Sequence, residues 1–153
     1  MRVNEIMTRN PACCAPDTKL AEVARLMVEQ DCGGIPVCED DEAIGMITDR
    51  DITVRAVALG RNPLDMTASE VMSSPAVTVQ QDMEVEECCE VLEEHGLRRV
   101  IVVDDQGYVC GIVAQADIAE NLGEDEAGEL VQVVSMMPPS PQQQMGGESV
   151  RAR

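Results

Sequence analysis

Gly45-Met46-Ile47-Thr48-Asp49-Arg50-Asp51-Ile52 returns later in the chain as Gly111-Ile112-Val113-Ala114-Gln115-Ala116-Asp117-Ile118. A second pair agrees with it: Glu5-Ile6-Met7-Thr8 returns as Glu70-Val71-Met72-Ser73. The offset is 70 − 5 = 65 at the start and 117 − 51 = 66 at the end, so the second copy carries one inserted residue. An internal repeat sets the architecture before any single residue is read. The chain has 153 residues, enough for one compact domain or two small halves. Each copy is short for a core of its own, so the two are expected to share one.

Outward from the repeated octapeptide, each copy predicts a short strand, a helix, two strands and a second helix. In the first copy a helix starts near Lys19, capped by Asp17 or Thr18, with Leu20, Val23, Ala24, Met27 and Val28 on one face. Cys32-Gly33-Gly34 is expected to end it through a left-handed glycine. Ile35 to Cys38 and Ala43 to Ile47 follow as strands, and Thr48 opens a helix. In the second copy Asp82 caps a helix over 83–94, with Val85, Cys88, Cys89 and Leu92 inward. Strands then run over 100–103 and 108–113, and Gln115 opens the last helix. The expected organisation is copy one over 1–60, a linker over 61–69, copy two over 70–122, an acidic helix over 123–135 and a disordered tail over 136–153.

Composition excludes several classes. The chain has 11 cations against 29 acids, a net charge of −18. Nucleic acids and anionic membranes reward clustered Lys and Arg, so neither is an expected partner. A small anionic ligand needs only a few local arginines and backbone amides. No apolar run is long enough to span a bilayer and no secretory leader is evident, so cytoplasm is the expected compartment. Seven cysteines, an odd number, fit a reducing compartment. Tyr108 is the sole aromatic residue, so the core must be aliphatic, with ten Met as adaptable filling.

The opening Glu-Ile-Met-Thr, the Ile35-Pro36-Val37 strand and the closing Gly-apolar-apolar-Thr-x-x-Asp together resemble the cystathionine-beta-synthase (CBS) domain. The whole resembles its tandem pair, the Bateman module, in the stand-alone bacterial form, over roughly Arg2 to Leu122. The resemblance implies an α/β (α+β) fold of two β-α-β-β-α repeats in a pseudo-twofold pair. It further implies clefts between them that take AMP, ADP, ATP, NAD(P) or S-adenosylmethionine, and disc-like homodimers. It implies a regulatory role without catalytic chemistry, with the signal passed to an effector protein.

The residues themselves carry two readings each. Asp51 can accept from both hydroxyls of a ribose, yet Thr48-x-x-Asp51 is also the spacing of a capping box. In the second copy Ala114 removes the reciprocal cap while Asp117 stays, which with the resemblance favours ribose binding at both. Thr48 and the amides that follow it can hold a phosphate, with Gln115 a partial substitute beside Ala114. The two sites are thus expected to be unequal, the Asp51 site better equipped at its phosphate end. Arg98 and Arg99 suit phosphate by their forked geometry, or they pair with the acid-rich helix before them. Arg50 is a third phosphate candidate, whereas Arg55 and Arg61 are expected to be solvated or at an interface. Ile35, Pro36, Val37 and Val100 are expected to flank adenine, and equally to be strand core.

Two rivals come from other classes. A thiol or metal protein would use Cys13-Cys14, Cys88-Cys89 and the scattered Cys32, Cys38 and Cys110, but no C-x-x-C spacing is present and core packing accounts for them. A ligand-free dimerisation module is the other. One His and no nucleophile–base pair leave an enzyme little to work with.

Overall fold

The computed structural model describes residues 1–122. Its elements are α1 (Val3–Ile6), β1 (Thr8–Arg9), α2 (Leu20–Gln30), β2 (Gly34–Glu39), β3 (Glu42–Thr48), α3 (Asp49–Arg55), α4 (Ala68–Val71), β4 (Thr78–Gln80), α5 (Val85–His95), β5 (Arg99–Val103), β6 (Val109–Ala114) and α6 (Gln115–Asn121). The expected acidic helix over 123–135 and tail over 136–153 lie outside the described residues.

The structural units do not follow the sequence copies. Met1–Pro11 belongs with the chain from Val77 onward, and Ala12–Ala76 forms the other unit. The opening segment of each copy is therefore built into the other copy's unit. In the Val77 unit, β1 adds to the edge of the second copy's sheet, whose order is β1-β6-β5-β4, with Thr8 opposite Ile112. In the Ala12–Ala76 unit, the β2–β3 hairpin is flanked in the same way: Ser73 bridges Met46 on one side and Cys14 bridges Val37 on the other.

The repeated glycines have their reason in this exchange. A Cβ on Gly45 would lie 2.8 Å from Met72 Sδ and 2.8 Å from the Ser73 carbonyl oxygen. A Cβ on Gly111 would lie 2.5 Å from Met7 Sδ. Each glycine thus lets the Met of an incoming opening segment lie against the strand, and the two halves of the repeated pattern explain one another.

Each unit buries its own apolar cluster. Val3, Met7, Val85, Leu92, Val100 and Ile118 are in one, and Leu20, Val23, Ile35, Val37, Ile47 and Val71 in the other. Residues 61–69 are more than a spacer, because Met66 and Ala68 are buried in the second of these. On α2 the buried stripe runs through Leu20, Val23 and Met27, with Leu26 packed against the cluster. Ala24 and Val28 are exposed. At about 3.6 residues per turn they fall beyond the stripe's edge, so the expected face was too wide.

Three helix ends differ from expectation, one being the start of α5, which begins at Val85 with no side-chain cap rather than at residue 83 under an Asp82 cap. No side chain caps α2; Thr18 Oγ1 accepts from the Ala15 N–H instead. The left-handed residue that closes α2 is Asp31, at φ 49°, not a glycine. At the matching point of the second copy Gly96 takes that conformation at φ 62°, where glycine carries no steric penalty.

Candidate functional site

Both copies end a strand and start a helix at the same place, so each site is built by one sharp turn. In the first copy Thr48 leaves β3 and caps α3. Its Oγ1 accepts from the Asp51 N–H at 3.1 Å, and Asp51 Oδ2 accepts from the Thr48 N–H at 2.9 Å. The capping reading of Thr48-x-x-Asp51 therefore holds in full. In the second copy Ala114 has no hydroxyl, and half of the box remains: Asp117 Oδ2 accepts from the Ala114 N–H at 2.8 Å.

The second oxygen of each carboxylate decides what is available to a ligand. Asp51 Oδ1 faces Arg55 Nη1 at 3.8 Å, and the pair is buried, 5% and 1% exposed. Arg55 Nη1 also donates to the Val71 carbonyl oxygen at 2.9 Å and to Ser73 Oγ at 3.2 Å. These acceptors lie in the opening segment that copy two contributes to this unit, so Arg55 holds that segment onto α3. Of the two expectations for Arg55, solvated or at an interface, the first is overturned: its guanidinium finds anionic and carbonyl oxygens in the interior. The i, i+4 spacing from Asp51 was the sequence signal. Arg61 is exposed, 4.0 Å from Glu70.

Burial pushes the Asp51 carboxyl above its ordinary 3.8, against the opposing pull of the Thr48 hydrogen bonds and of Arg55. Burial likewise lowers Arg55, and Asp51 opposes that. Loss of hydration outweighs mutual attraction on both groups, which marks the pair as interior rather than as a surface bridge.

At the corresponding position of α6 stands Asn121, four residues after Asp117. Its amide donates to the Asp117 backbone carbonyl at 2.7 Å. Asp117 Oδ1 accepts no hydrogen bond among the described residues, and its side chain is half-buried. Beside it, the Gln115 N–H donates to the Arg98 carbonyl oxygen at 2.9 Å, and Arg99 stands opposite Ala114 in the β5–β6 register. Arg98, Arg99, Ala114, Gln115 and Asp117 thus meet at one turn. Arg98 is exposed and Arg99 half-exposed, and among the described residues neither has a carboxylate within 4 Å. The reading that they pair with α5 does not hold. Gln115 Oε1 is buried there without a hydrogen-bond partner among the described residues.

In the first copy the same turn holds Gly33 and Gly34 where the second has its arginines, with the Asp49 N–H donating to the Gly33 carbonyl oxygen at 3.1 Å. Arg50 is exposed, next to the buried Asp51. Ile35, Pro36, Val37 and Val100 are all buried strand residues. Among the described residues no three His, Cys, Asp or Glu side chains are grouped to hold a metal, and no helix is long and apolar enough to cross a membrane.

Comparison with known proteins agrees with the two-repeat fold. Residues 3–57 and 68–124 match the family model of the CBS domain. A CBS domain-containing protein of Bacillus subtilis is 37% identical over 134 residues, 87% of this chain and 94% of its own. Hypoxic response protein 1 of Mycobacterium tuberculosis is 36% identical over 131 residues, 85% of this chain and 91% of its own. An uncharacterised Methanopyrus kandleri protein is 38% identical over 77% of this chain, which spans 61% of that protein's length. Among solved structures, a CBS domain protein of unknown function from Thermoplasma acidophilum has a TM-score of 0.81 at 28% identity, covering 91% of this chain and 79% of that one. The structure of Hypoxic Response Protein I with two coordinated zinc ions has a TM-score of 0.71 at 35% identity, covering 80% and 100%. Two structures at 25% identity hold adenosine compounds: CBSX2 with AMP (TM-score 0.66, covering 78% and 94%) and the MJ0100 domain pair with 5'-methylthioadenosine and S-adenosyl-L-methionine (0.72, covering 80% and 100%).

Proposed function

The chain belongs to the CBS-domain family, and on that footing we propose that it is a regulatory module binding an adenine nucleotide at the strand-to-helix turn of its second copy. One observation carries the reading. Among the described residues, Asp117 has a carboxylate oxygen without a partner at the same turn as two arginines without a counter-ion. A carboxylate so placed accepts from ribose hydroxyls, and guanidinium groups take phosphate in a forked pair of hydrogen bonds. Gln115 adds a buried acceptor that lacks a donor among the described residues. The AMP complex of the CBSX2 relative supports the ligand class.

The first copy, expected from Thr48 to be the better equipped at its phosphate end, is the weaker site for a ribose. Asp51 caps α3 with one oxygen and faces Arg55 with the other, so a ribose there would have to displace an internal ion pair. Thr48 and Arg50 remain phosphate candidates at that turn. The ligand is regulatory and no catalytic step is assigned to the chain. Its bound state passes to an effector protein, and the module works as a homodimer. Val54, Val57 and Leu59 at the end of the first copy and Leu64 in the linker are exposed apolar residues in a short stretch of chain, which supports self-association.

The test is calorimetry and thermal denaturation of the full chain with AMP, ADP, ATP, NAD and S-adenosylmethionine. A ligand at 100 times its Kd adds about 2.7 kcal/mol to the folded state. Asp117→Ala should weaken a nucleotide by roughly 10- to 100-fold, the worth of a charge-assisted hydrogen bond. Arg98→Gln and Arg99→Gln should weaken AMP but leave adenosine unchanged. No shift with any member of the panel would leave the ligand-free dimerisation module standing. Tight S-adenosylmethionine binding that ignores the arginine changes would reassign the ligand.

A further inference from the structure

The Val77 unit is completed by an arm from the other end of the described chain, residues 1–9. Main-chain bonds hold the arm along its length. The Val3 N–H donates to the Met83 carbonyl oxygen at 2.9 Å and the Asn4 N–H to that of Gln81 at 2.9 Å. The Val85 N–H donates to the Met1 carbonyl oxygen at 2.9 Å, and the Asn10 N–H to that of Cys110 at 3.1 Å. β1 covers the edge of β6, and Val3 and Met7 close the apolar cluster around Val85, Leu92, Val100 and Ile118. Arg9 Nη2 donates to the Asn4 carbonyl oxygen at 2.8 Å, so the arm is also folded on itself. Uncovered, β6 would present open N–H and C=O groups, and the cluster would be left with a gap. The unit therefore requires an arm. A second copy of the chain presents the same arm, with every one of these contacts.

The hinge is Asn10-Pro11, beyond which the chain enters the other unit. Asn10 is left-handed, at φ 49°. Asn bears that conformation better than most side chains, but a proline pushes the residue before it towards extended backbone. Asn10 is thus bent against the preference that its neighbour imposes. A short strained hinge invites the exchange of an element between chains. Extended backbone at Asn10 would carry the arm away from its own unit with its fold intact.

We propose that two copies of the chain dimerise by exchanging arms, residues 1–9 of each protomer completing the Val77 unit of the other. The exchange keeps every hydrogen bond and buried side chain named above and relaxes the bend at Asn10. Against it stands the freedom lost when two chains become one particle. The proposal rests on the homodimer of the functional reading and not on its nucleotide. It also ties the two together: β6 ends at Ala114, where the Asp117 turn begins. In the exchanged dimer the strand leading into each nucleotide turn is paired with the other protomer's β1.

The test uses the full chain with the photo-crosslinker p-benzoylphenylalanine in place of Thr8, an exposed residue opposite Ile112 on β6. This chain is mixed with an equal amount of unsubstituted chain labelled with heavy nitrogen. The two are unfolded together in urea, refolded, irradiated and digested with trypsin. Residues 100–151 form one tryptic peptide, and its isotope tells whose β6 the arm covers. Exchange should put about half of the links on the heavy peptide, the share that random pairing of equal amounts gives. Two hinge variants, made in both chains, should lower that share. Asn10→Gly bears the left-handed bend freely, and Pro11→Ala lifts the restriction on Asn10. Native mass spectrometry of the same samples counts the copies in each particle. Dimers whose links all stay on the light peptide would overturn the exchange and leave the homodimer standing. Chains that are monomeric throughout would overturn both. A heavy share that neither hinge variant lowers would overturn the strained hinge as the cause.

Discussion

Arg55 is the residue on which the asymmetry of the two copies turns. Its guanidinium is buried against Asp51, Val71 and Ser73, and α6 has Asn121 at the equivalent point. One position therefore separates a carboxylate with both oxygens engaged from one whose Oδ1 accepts no hydrogen bond among the described residues. Removing one member of a buried pair leaves the other charge uncompensated and costs about 3–5 kcal/mol. Asp51→Ala should lower stability by that order, whereas Asp117→Ala should cost about 1 kcal/mol, the worth of a capping interaction. Denaturant melts of Asp51→Ala, Arg55→Met and the double variant check this, with the double change expected to cost less than the sum of the singles. Strict additivity would mean the pair is not coupled. Asp51 and Arg55 were both visible in the sequence, four apart on a predicted helix. Their burial was not, because it depends on a segment that begins 16 residues beyond Arg55.

Among the elements, the strands and helices were legible because their periods are written locally. The repeat predicted two strands and a helix after each cap, and β2, β3, α3 and β5, β6, α6 stand there. Helix ends were less legible. Asp31 closes α2 in a left-handed conformation that two nearby glycines seemed to claim, because the end is set by where the chain must turn into β2. The glycines of the repeated pattern act through contact. Gly45→Ala would force Cβ into Met72 Sδ and the Ser73 carbonyl oxygen, and should cost about 1–3 kcal/mol, the usual range for overpacking. Gly111→Ala should behave alike against Met7. Adding Met72→Ala to Gly45→Ala should recover part of the loss and leave the share due to the Ser73 backbone. Thermal melts of the three variants would show it, and a harmless Gly45→Ala would refute the close-approach account.

At the scale of the molecule, the copies seen in the sequence and the units that pack are different divisions of the chain. Val3 and Met7 are buried in the unit of the second copy, and β1 hydrogen-bonds to β6. Deleting residues 1–9 should therefore destabilise that unit, each lost buried apolar side chain costing about 2–5 kcal/mol. Hydrogen exchange is the readout. Amides of β6 should lose protection while those of the β2–β3 hairpin keep it, and the opposite pattern would mean that the opening segment packs within its own copy. By itself the sequence determined the duplication, the order of elements, the aliphatic core and the candidate turns, because burial imposes periods of 2 and 3.6 on neighbouring residues. Only the tertiary structure decided which unit each opening segment joins, that Arg55 goes inside, and that Arg98 and Arg99 have no acidic partner among the described residues. Those outcomes depend on contacts between residues distant along the chain, and no local period records a distant partner.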